Sequence, residues 1–231
     1  MVKRPLTSAV EDYLKTIYEL GAREVKTQAL ADALEVSPAS VTCMLQKLAS
    51  LKLVAYEKYK GVSLSPAGQR IALETLRHHR LIETYLAQAL GYAWHEVHDE
   101  AERLEHHISE DFEDRIAELL GDPTYDPHGD PIPRRDGSLP EDLGQPLAEI
   151  ALGQTVTITR ITNQQREVLR YLAEHKLVLG ETVTLRARAP FGGPLTLEQD
   201  GSRIAIAHEL AHAIHVAPMA DATVDSRRAS L

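Results

Sequence analysis

Residues 27–64 read TQALADALEVSPASVTCMLQKLASLKLVAYEKYKGVSL, and this stretch decides the fold. Ser37-Pro38 is a helix-start signal, because serine caps a helix N-terminus and proline suits the first helical position. Three apolar residues follow at the spacing of one helix face: Val41, Leu45 and Leu48. We therefore predict a helix that runs to about Leu51 and buries one side.

Two shorter helices precede this one, and two strands follow it. Residues 6–21 have amphipathic spacing that stops at a glycine, and a short helix is predicted after Thr27 as its N-cap. Residues 53–56 and 62–64 alternate as two short strands. Three helices followed by a two-stranded wing are typical of the winged helix-turn-helix, whose third helix enters the major groove of DNA.

The exposed side of the third helix carries small hydroxyl and amide groups, which approach phosphates and base edges without steric clash. Lysines around the wing would reach phosphates. The alternative interpretation is a winged helix that binds another protein. The predicted DNA contacts are Thr7, Lys26, Thr27, Ser37, Pro38, Ala39, Ser40, Thr42, Gln46, Lys47, Lys58 and Lys60.

The rest of the chain changes pattern twice. Ser65-Pro66 repeats the helix-start signal before a long helix to about Leu90, and residues 95–120 predict two further helices. Residues 121–148 are rich in proline. Beyond them, alternation predicts short strands and helices, with Asp200-Gly201 as a hairpin turn. The predicted fold class is mainly α with a small β part.

Composition excludes several classes of protein. Hydrophobic residues make up 43% and charged residues 26%, as in ordinary globular proteins. No apolar run is long enough to span a membrane, and the N-terminus lacks the apolar core of a signal peptide. The single cysteine, Cys43, fits a reducing compartment. We expect a cytoplasmic protein without a membrane partner.

Charge is distributed unevenly along the chain, whose net charge is −9. Residues 1–65 carry nine basic and seven acidic residues, whereas residues 66–120 carry five basic and twelve acidic ones. Six of the eleven histidines fall between His78 and His107. Acidic residues and histidines in one stretch indicate metal ligands. The alternative is a solvated acidic helix face with incidental histidines.

Two groups of these residues share helix faces. His79 and Glu83 are four residues apart. A second face would carry His98, Glu102, Glu105 and His106. If the two faces meet, six ligands converge, which is enough for two neighbouring sites. Carboxylates and imidazoles without thiolates favour Mn²⁺ or Fe²⁺. Glu11-Asp12 in the first helix is the other acidic pair that could reach this position.

These residues resemble the diphtheria-toxin-repressor and manganese-transport-regulator family of bacterial metalloregulators. The resemblance rests on EDYL at residues 11–14, IYEL at 17–20 and HRL at 79–81. It also rests on VHDEA at residues 97–101, which leads to Glu105-His106, and on DPIP at 130–133. It implies a homodimer that binds double-stranded operator DNA and represses genes for metal-ion uptake.

The resemblance also implies a ligand set. The primary site would comprise Asp12, Glu102, Glu105 and His106, together with His79. An ancillary site would comprise His79, Glu83 and His98. Asp12 and Glu102 match the manganese type, but that type has a glutamate where this chain has Lys15, and His98 belongs to the iron type. Mn²⁺ is therefore the expected cofactor, Fe²⁺ stays an alternative, and other divalent ions are expected to substitute in vitro.

The resemblance completes the expected domain organisation. Residues 1–65 would form the winged helix-turn-helix DNA-binding domain, and residues 66–140 the helical domain for metal binding and dimerisation. A linker at 141–148 would lead to an SH3-like, FeoA-like β-barrel at 149–217 and a tail at 218–231. Within the barrel, Gln164 and Glu167 are candidates for an additional ligand.

Other classes of function compete with a repressor. His208-Glu209-Leu210-Ala211-His212 matches the short motif of zinc metallopeptidases, in which two histidines bind zinc and the glutamate is the general base. A pattern with three fixed positions arises easily by chance, so we expect no enzyme. A metal buffer would need the metal cluster but not the winged helix.

Overall fold

The computed structural model describes residues 6–57, 60–141 and 144–218. Lys58 of the predicted wing and the predicted tail after Pro218 lie outside the described residues. Within these ranges, no helix combines the length and apolar character needed to cross a bilayer. The chain divides into two compact units. The first contains residues up to 85, 99–124 and 132–140; the second contains 86–98, 125–131 and 141 onward.

The first unit begins with three helices and a two-stranded antiparallel wing. The elements are α1 Ser8–Glu19, α2 Thr27–Ala33, α3 Pro38–Ser50, β1 Val54–Glu57 and β2 Gly61–Leu64. In the wing, Val54 pairs with Leu64 and Glu57 pairs with Gly61. This is the predicted winged helix-turn-helix.

The start of α3 shows why the sequence pattern predicted it well. The Ser37 side chain accepts a hydrogen bond from the backbone N–H of Ser40 at 3.2 Å, and Pro38 is the first helical residue. For α2 the prediction was off by one position, since Lys26 occupies the N-cap and Thr27 is already helical. One core joins these elements and includes Val10, Leu14, Ile17, Leu30, Val41, Leu45, Leu48 and Val62.

Three further helices follow the wing: α4 Pro66–Gln88, α5 Val97–Leu104 and α6 Glu110–Leu119. Leu81 of α4 packs with Ile116, Ala117 and Ile132 in a second small core. Glu113 of α6 accepts hydrogen bonds from Arg77 and His78 of α4. These contacts fasten α6 to α4.

The second unit contains a six-stranded antiparallel sheet in the order β3-β8-β4-β5-β6-β7. Its elements are β3 Gln145–Pro146, a 3-10 turn Leu147–Glu149, β4 Thr155–Ile161, α7 Arg166–Glu174, β5 Thr182–Arg188, β6 Leu195–Gln199, β7 Ser202–Ile206, α8 His208–Ala213 and β8 Ile214–Pro218. The β6–β7 turn has positive φ at Asp200 (50°) and Gly201 (77°), as the predicted tight hairpin requires.

Two expectations about this unit differ from the structure. The predicted linker contains β3, which pairs with β8. The predicted tail began at Pro218, but Pro218 is the last residue of β8 and pairs with Val156. Strand pairing across some 70 residues leaves no local pattern in the sequence, which explains both differences.

Candidate metal centre

Helix α1 is buried on two sides. Val10, Leu14 and Ile17 face the core of the winged helix. Asp12 and Lys15 lie three residues apart on another face, and Lys15 is only 5% exposed. Charged side chains that lie on a packed helix face need partners of opposite charge from another element.

Helix α4 supplies the next pair of side chains. His79 and Glu83 are one helical turn apart and both are buried. The His79 Nε2 atom lies 3.0 Å from Glu83 Oε1. The spacing predicted from sequence therefore places the two side chains in direct contact.

Helix α5 and the turn after it supply three more. Glu102 is in the last turn of α5, and Glu105 and His106 follow it. The backbone N–H of Glu105 donates to the carbonyl of Ala101 at 2.9 Å, which extends the helical turn beyond Leu104. As a result Glu105 points inward, and its side chain is completely buried.

These side chains meet around Glu105. His79 Nδ1 lies 2.5 Å from Glu105 Oε2, and His106 Nε2 lies 3.3 Å from Glu105 Oε1. His106 Nε2 is also 2.7 Å from Asp12 Oδ1. The structure thus brings together all five residues predicted for the primary site: Asp12, His79, Glu102, Glu105 and His106.

The donor set fits a divalent ion. Asp12, Glu105 and His106 each offer one atom within 4.8 Å of the others, and so do His79, Glu102 and Glu105. Two ligand atoms bonded to one ion at about 2.2 Å lie at most about 4.4 Å apart, which is close to this separation. Carboxylate oxygens and imidazole nitrogens are the ligands preferred by Mn²⁺ and Fe²⁺, and carboxylates outnumber cations in the cluster.

Burial and neighbouring charges shift the pKa values of several side chains in the cluster. Burial lowers the pKa of His79, but Glu83 and Glu105 outweigh this and raise it to about 10. Burial likewise lowers the pKa of Lys15, and Glu105 and Glu102 raise it above its ordinary value. Burial raises the pKa of Asp12. The buried carboxylates therefore gather positive charge, which is the property that a cation site requires.

Two residues of this cluster were absent from the predicted ligand set. Glu11 Oε2 lies 2.7 Å from His106 Nδ1. The Lys15 ammonium donates to Glu102 at 2.6 Å and to Glu105 at 2.7 Å. Glu11 had been noted only as half of an acidic pair, and Lys15 only as a departure from the manganese type. Their position within one turn of Asp12 is the local signal that points to both.

The remaining predicted ligands are His98, Gln164 and Glu167. His98 is in the first turn of α5, four residues before Glu102, and is partly exposed. Gln164 donates to Asp130 Oδ2 at 2.6 Å, and Glu167 is exposed in the first turn of α7.

The predicted DNA surface is exposed over most of its length. Ser37, Pro38, Ala39, Ser40, Gln46 and Lys47 are exposed on or beside α3, and Thr42 is partly buried. The Thr42 hydroxyl donates to the carbonyl of Pro38 at 2.9 Å. Near the wing, Lys60 pairs with Glu57 at 2.7 Å, and Lys26 donates to the carbonyl of Lys60 at 3.2 Å. Thr7 is exposed before α1, and Thr27 is partly buried.

The peptidase-like segment forms α8, which is only six residues long. The rings of His208 and His212 stack edge-on with centroids 4.7 Å apart. Across the part of the chain that the structure describes, no group of three potential ligands includes either histidine. Asp221 and Asp225, the carboxylates that could complete a zinc site, lie outside the described residues. Ala211 of the motif packs into the core of the sheet.

Three known domain families match successive parts of the chain. Residues 5–62 match the family described as "Iron dependent repressor, N-terminal DNA binding domain", and residues 65–134 match its "metal binding and dimerisation domain". Residues 145–218 match the FeoA domain. The iron-dependent repressor IdeR of Mycobacterium leprae is 32% identical over 231 aligned residues, which cover 91% of this chain and 97% of the relative. The chain belongs to the iron-dependent repressor family.

Solved structures of the family resemble this chain closely. A manganese-dependent transcriptional repressor in complex with manganese has a TM-score of 0.84 at 38% identity, and the match covers 91% of this chain and all of that one. The repressor ScaR with bound zinc has a TM-score of 0.79 at 35% identity and covers 91% of this chain and 99% of its own.

A shorter relative is the manganese regulator MntR of Lysinibacillus sphaericus, which is 36% identical over 116 residues. The alignment covers 49% of this chain and 83% of that protein. Members of the iron-dependent repressor family are metal-dependent transcriptional repressors, not enzymes. This chain is accordingly a metal-responsive repressor with a winged DNA-binding part and an SH3-like FeoA part, and the peptidase alternative is dropped.

Proposed function

We propose that this repressor responds to Mn²⁺ and binds operator DNA as a homodimer. The observation that carries the proposal is the 2.7 Å contact between Asp12 of α1 and His106 after α5. It joins the first helix of the DNA-binding fold to the helices that would form the body of the dimer. An ion held there would fix the position of the DNA-binding helices.

The proposed primary ligands are Asp12, Glu102, Glu105 and His106, together with His79. The oxygen-rich composition of this set favours Mn²⁺ over softer ions. The similarity to a manganese-bound repressor supports the same ion. Fe²⁺ is the second candidate, because the IdeR relatives are named as iron-dependent. His79, Glu83 and His98 are proposed as an ancillary site.

The proposed operator contacts come from α3 and its surroundings. The exposed hydroxyl and amide groups of Ser37, Ser40 and Gln46 would face base edges and phosphates. Lys26, Lys47 and Lys60 would neutralise phosphates, as would Lys58. The chain would work in the cytoplasm, where its DNA target lies.

Metal and DNA binding would be coupled through α1. Without a divalent ion, α1 is held to the α5 segment by the ion pairs of Lys15 with Glu102 and Glu105 and by the contacts of His106 with Glu11 and Asp12. With the ion bound, α1 and α5 share one centre, and the two winged helices of a dimer hold the spacing of successive major grooves. Every 1.4 kcal/mol of differential binding changes operator affinity about tenfold.

A metal-titrated DNA-binding assay tests the proposal. Fluorescence anisotropy of labelled promoter DNA is measured with Mn²⁺, Fe²⁺ under anaerobic conditions and Zn²⁺, for the wild type and for His106→Ala. We expect Mn²⁺ to strengthen DNA binding by the wild type at least tenfold and to leave DNA binding by His106→Ala unchanged. Equal DNA binding with and without metal would overturn the proposal, and a response to Fe²⁺ alone would assign the ion to iron.

A further inference from the structure

Lys15 is a buried lysine whose ammonium group lies among the proposed metal ligands. Its Nζ atom is 2.6 Å from Glu102 Oε1 and 2.7 Å from Glu105 Oε1. Both are short charge-assisted hydrogen bonds. The ammonium therefore occupies the position of a cation that bridges these two carboxylates.

The cluster offers two overlapping groups of ligands. One consists of Asp12, Glu105 and His106, and the other of His79, Glu102 and Glu105. Because Glu105 belongs to both, two cations could share it. Lys15 contacts two members of the second group, and only one member of the first.

We propose that Lys15 is a built-in second cation of this cluster. With Lys15 in place, the cluster accepts one divalent ion; without it, the cluster accepts two. The inference rests on the proposed function, since it assigns the same side chains to a metal site. The physical reason is competition, because an ammonium and a divalent ion need the same oxygens and repel each other at short distance.

A tethered cation also explains how the cluster keeps its shape. Glu105 is fully buried, and an unpaired buried carboxylate would be strongly destabilising. Lys15 offers one of its neutralising charges from within the chain. The empty repressor would consequently remain folded, with its ligands already gathered.

The test counts bound ions in proteins that all carry His98→Ala, which keeps the proposed ancillary site out of the count. Lys15→Met removes the charge and keeps the length of the side chain. Lys52→Met makes the same change at an exposed position of the same unit and is the matched control. Each protein is dialysed against Mn²⁺. Bound manganese per chain is then measured by mass spectrometry, and coupling between ions by electron paramagnetic resonance.

We expect one uncoupled Mn²⁺ per chain in His98→Ala and in the Lys52→Met control. In Lys15→Met we expect two Mn²⁺ with a spin-coupled spectrum, and binding of the first ion at least about tenfold tighter. If Lys15→Met does not fold, Lys15→Gln replaces it, because its amide can still donate to a carboxylate.

Two results would overturn the inference: two coupled ions with Lys15 present, or one ion after its charge is removed. The first needs no Lys15 variant at all. A failure of the proposed function gives a different result, since the His98→Ala protein would then bind no manganese. That outcome would overturn the assignment of the metal centre itself, and the inference with it.

Discussion

The imidazole of His106 is held by Glu11 through a contact of 2.7 Å between Nδ1 and Oε2. When Nδ1 donates its proton to the Glu11 carboxylate, Nε2 is the ring nitrogen that would bind an ion beside Asp12. Carboxylates that orient a metal-binding histidine in this way also make it more basic. Glu11 is therefore a positioning residue of the proposed centre.

Replacement of Glu11 tests that role. We expect Glu11→Ala to weaken Mn²⁺ binding about 10- to 100-fold, as for other residues that orient ligands. Isothermal titration calorimetry measures the Kd directly. Glu174→Ala, at an exposed helix position, is the control and should bind like the wild type. An unchanged Kd in Glu11→Ala would show that His106 needs no such support.

Asp12 is expected to set the preference between ions. Asp12→Met exchanges a hard oxygen ligand for a thioether, which softer ions tolerate better. The ratio of Fe²⁺ to Mn²⁺ affinity should rise at least about tenfold, the factor that corresponds to 1.4 kcal/mol. Operator binding titrated with each ion under anaerobic conditions gives this ratio. The same ratio in mutant and wild type would reject Asp12 as a ligand that selects the ion.

Lys47 tests the DNA surface independently of the metal. It is exposed near the end of α3, and we expect it to contact a phosphate. Lys47→Ala should weaken binding to all DNA sequences by a similar factor and reduce the slope of log K against log salt by about one. Arg170→Ala, at an exposed position of α7, is the control. A loss of affinity for one sequence only would point to a base contact instead.

Replacement of Glu113 is expected to lower the free energy of unfolding without changing any proposed metal ligand. Burial raises its pKa, but hydrogen bonds from His78 and Arg77 lower it to about 2. Because the folded pKa lies below the usual carboxyl value, the stabilisation is present above pH 4.5 and is lost as pH falls toward 2. Glu113→Gln should cost about 1–3 kcal/mol at pH 7. Urea unfolding at pH 7 and at acidic pH measures this, and the two proteins should converge in acid.

Gly129 tests the packing of the second unit. A Cβ atom there would lie 2.1 Å from the carbonyl oxygen of Thr159, and φ is +85°. Gly153 has a similar φ of +81° but no atom within 4 Å of its Cβ position. Gly129→Ala should therefore cost about 1–3 kcal/mol more than Gly153→Ala. Thermal unfolding of both variants separates the effect of the steric clash from that of the positive φ, which both positions share. An equal loss of stability in the two variants would contradict the predicted clash.

Local chemistry made part of the fold predictable. The Ser37-Pro38 start of α3 and the turn at Asp200-Gly201 depend on neighbouring residues only, and both were predicted from the sequence. Strand β8 pairs with β3 and β4, which are distant in sequence, so its extent through Pro218 was missed.

The candidate metal centre shows the same division between what neighbouring residues reveal and what only distant contacts reveal. Periodicity along α4 and α5 placed candidate ligands on two helix faces. The contact of Lys15 with Glu102 spans 87 positions, and that with Glu105 spans 90. No spacing rule connects positions so far apart, and only the packing of α1 against α5 brings them together. The contacts of Lys15 with Glu102 and Glu105 became visible in the folded chain alone.

The two packed sides of α1 have a consequence for how tightly the proposed metal ion is held. Val10, Leu14 and Ile17 pack in the core of the winged helix, while Asp12 faces Glu105 and His106, two other proposed metal ligands. Free-energy coupling is reciprocal, so a protein whose ion strengthens its hold on DNA must hold that ion more tightly when DNA is bound. As the ion becomes scarce, repressor molecules bound to an operator would therefore lose their metal at a lower ion concentration than repressor molecules that are not bound to DNA. The repressed genes would be expressed only after the unbound repressor had already lost its metal.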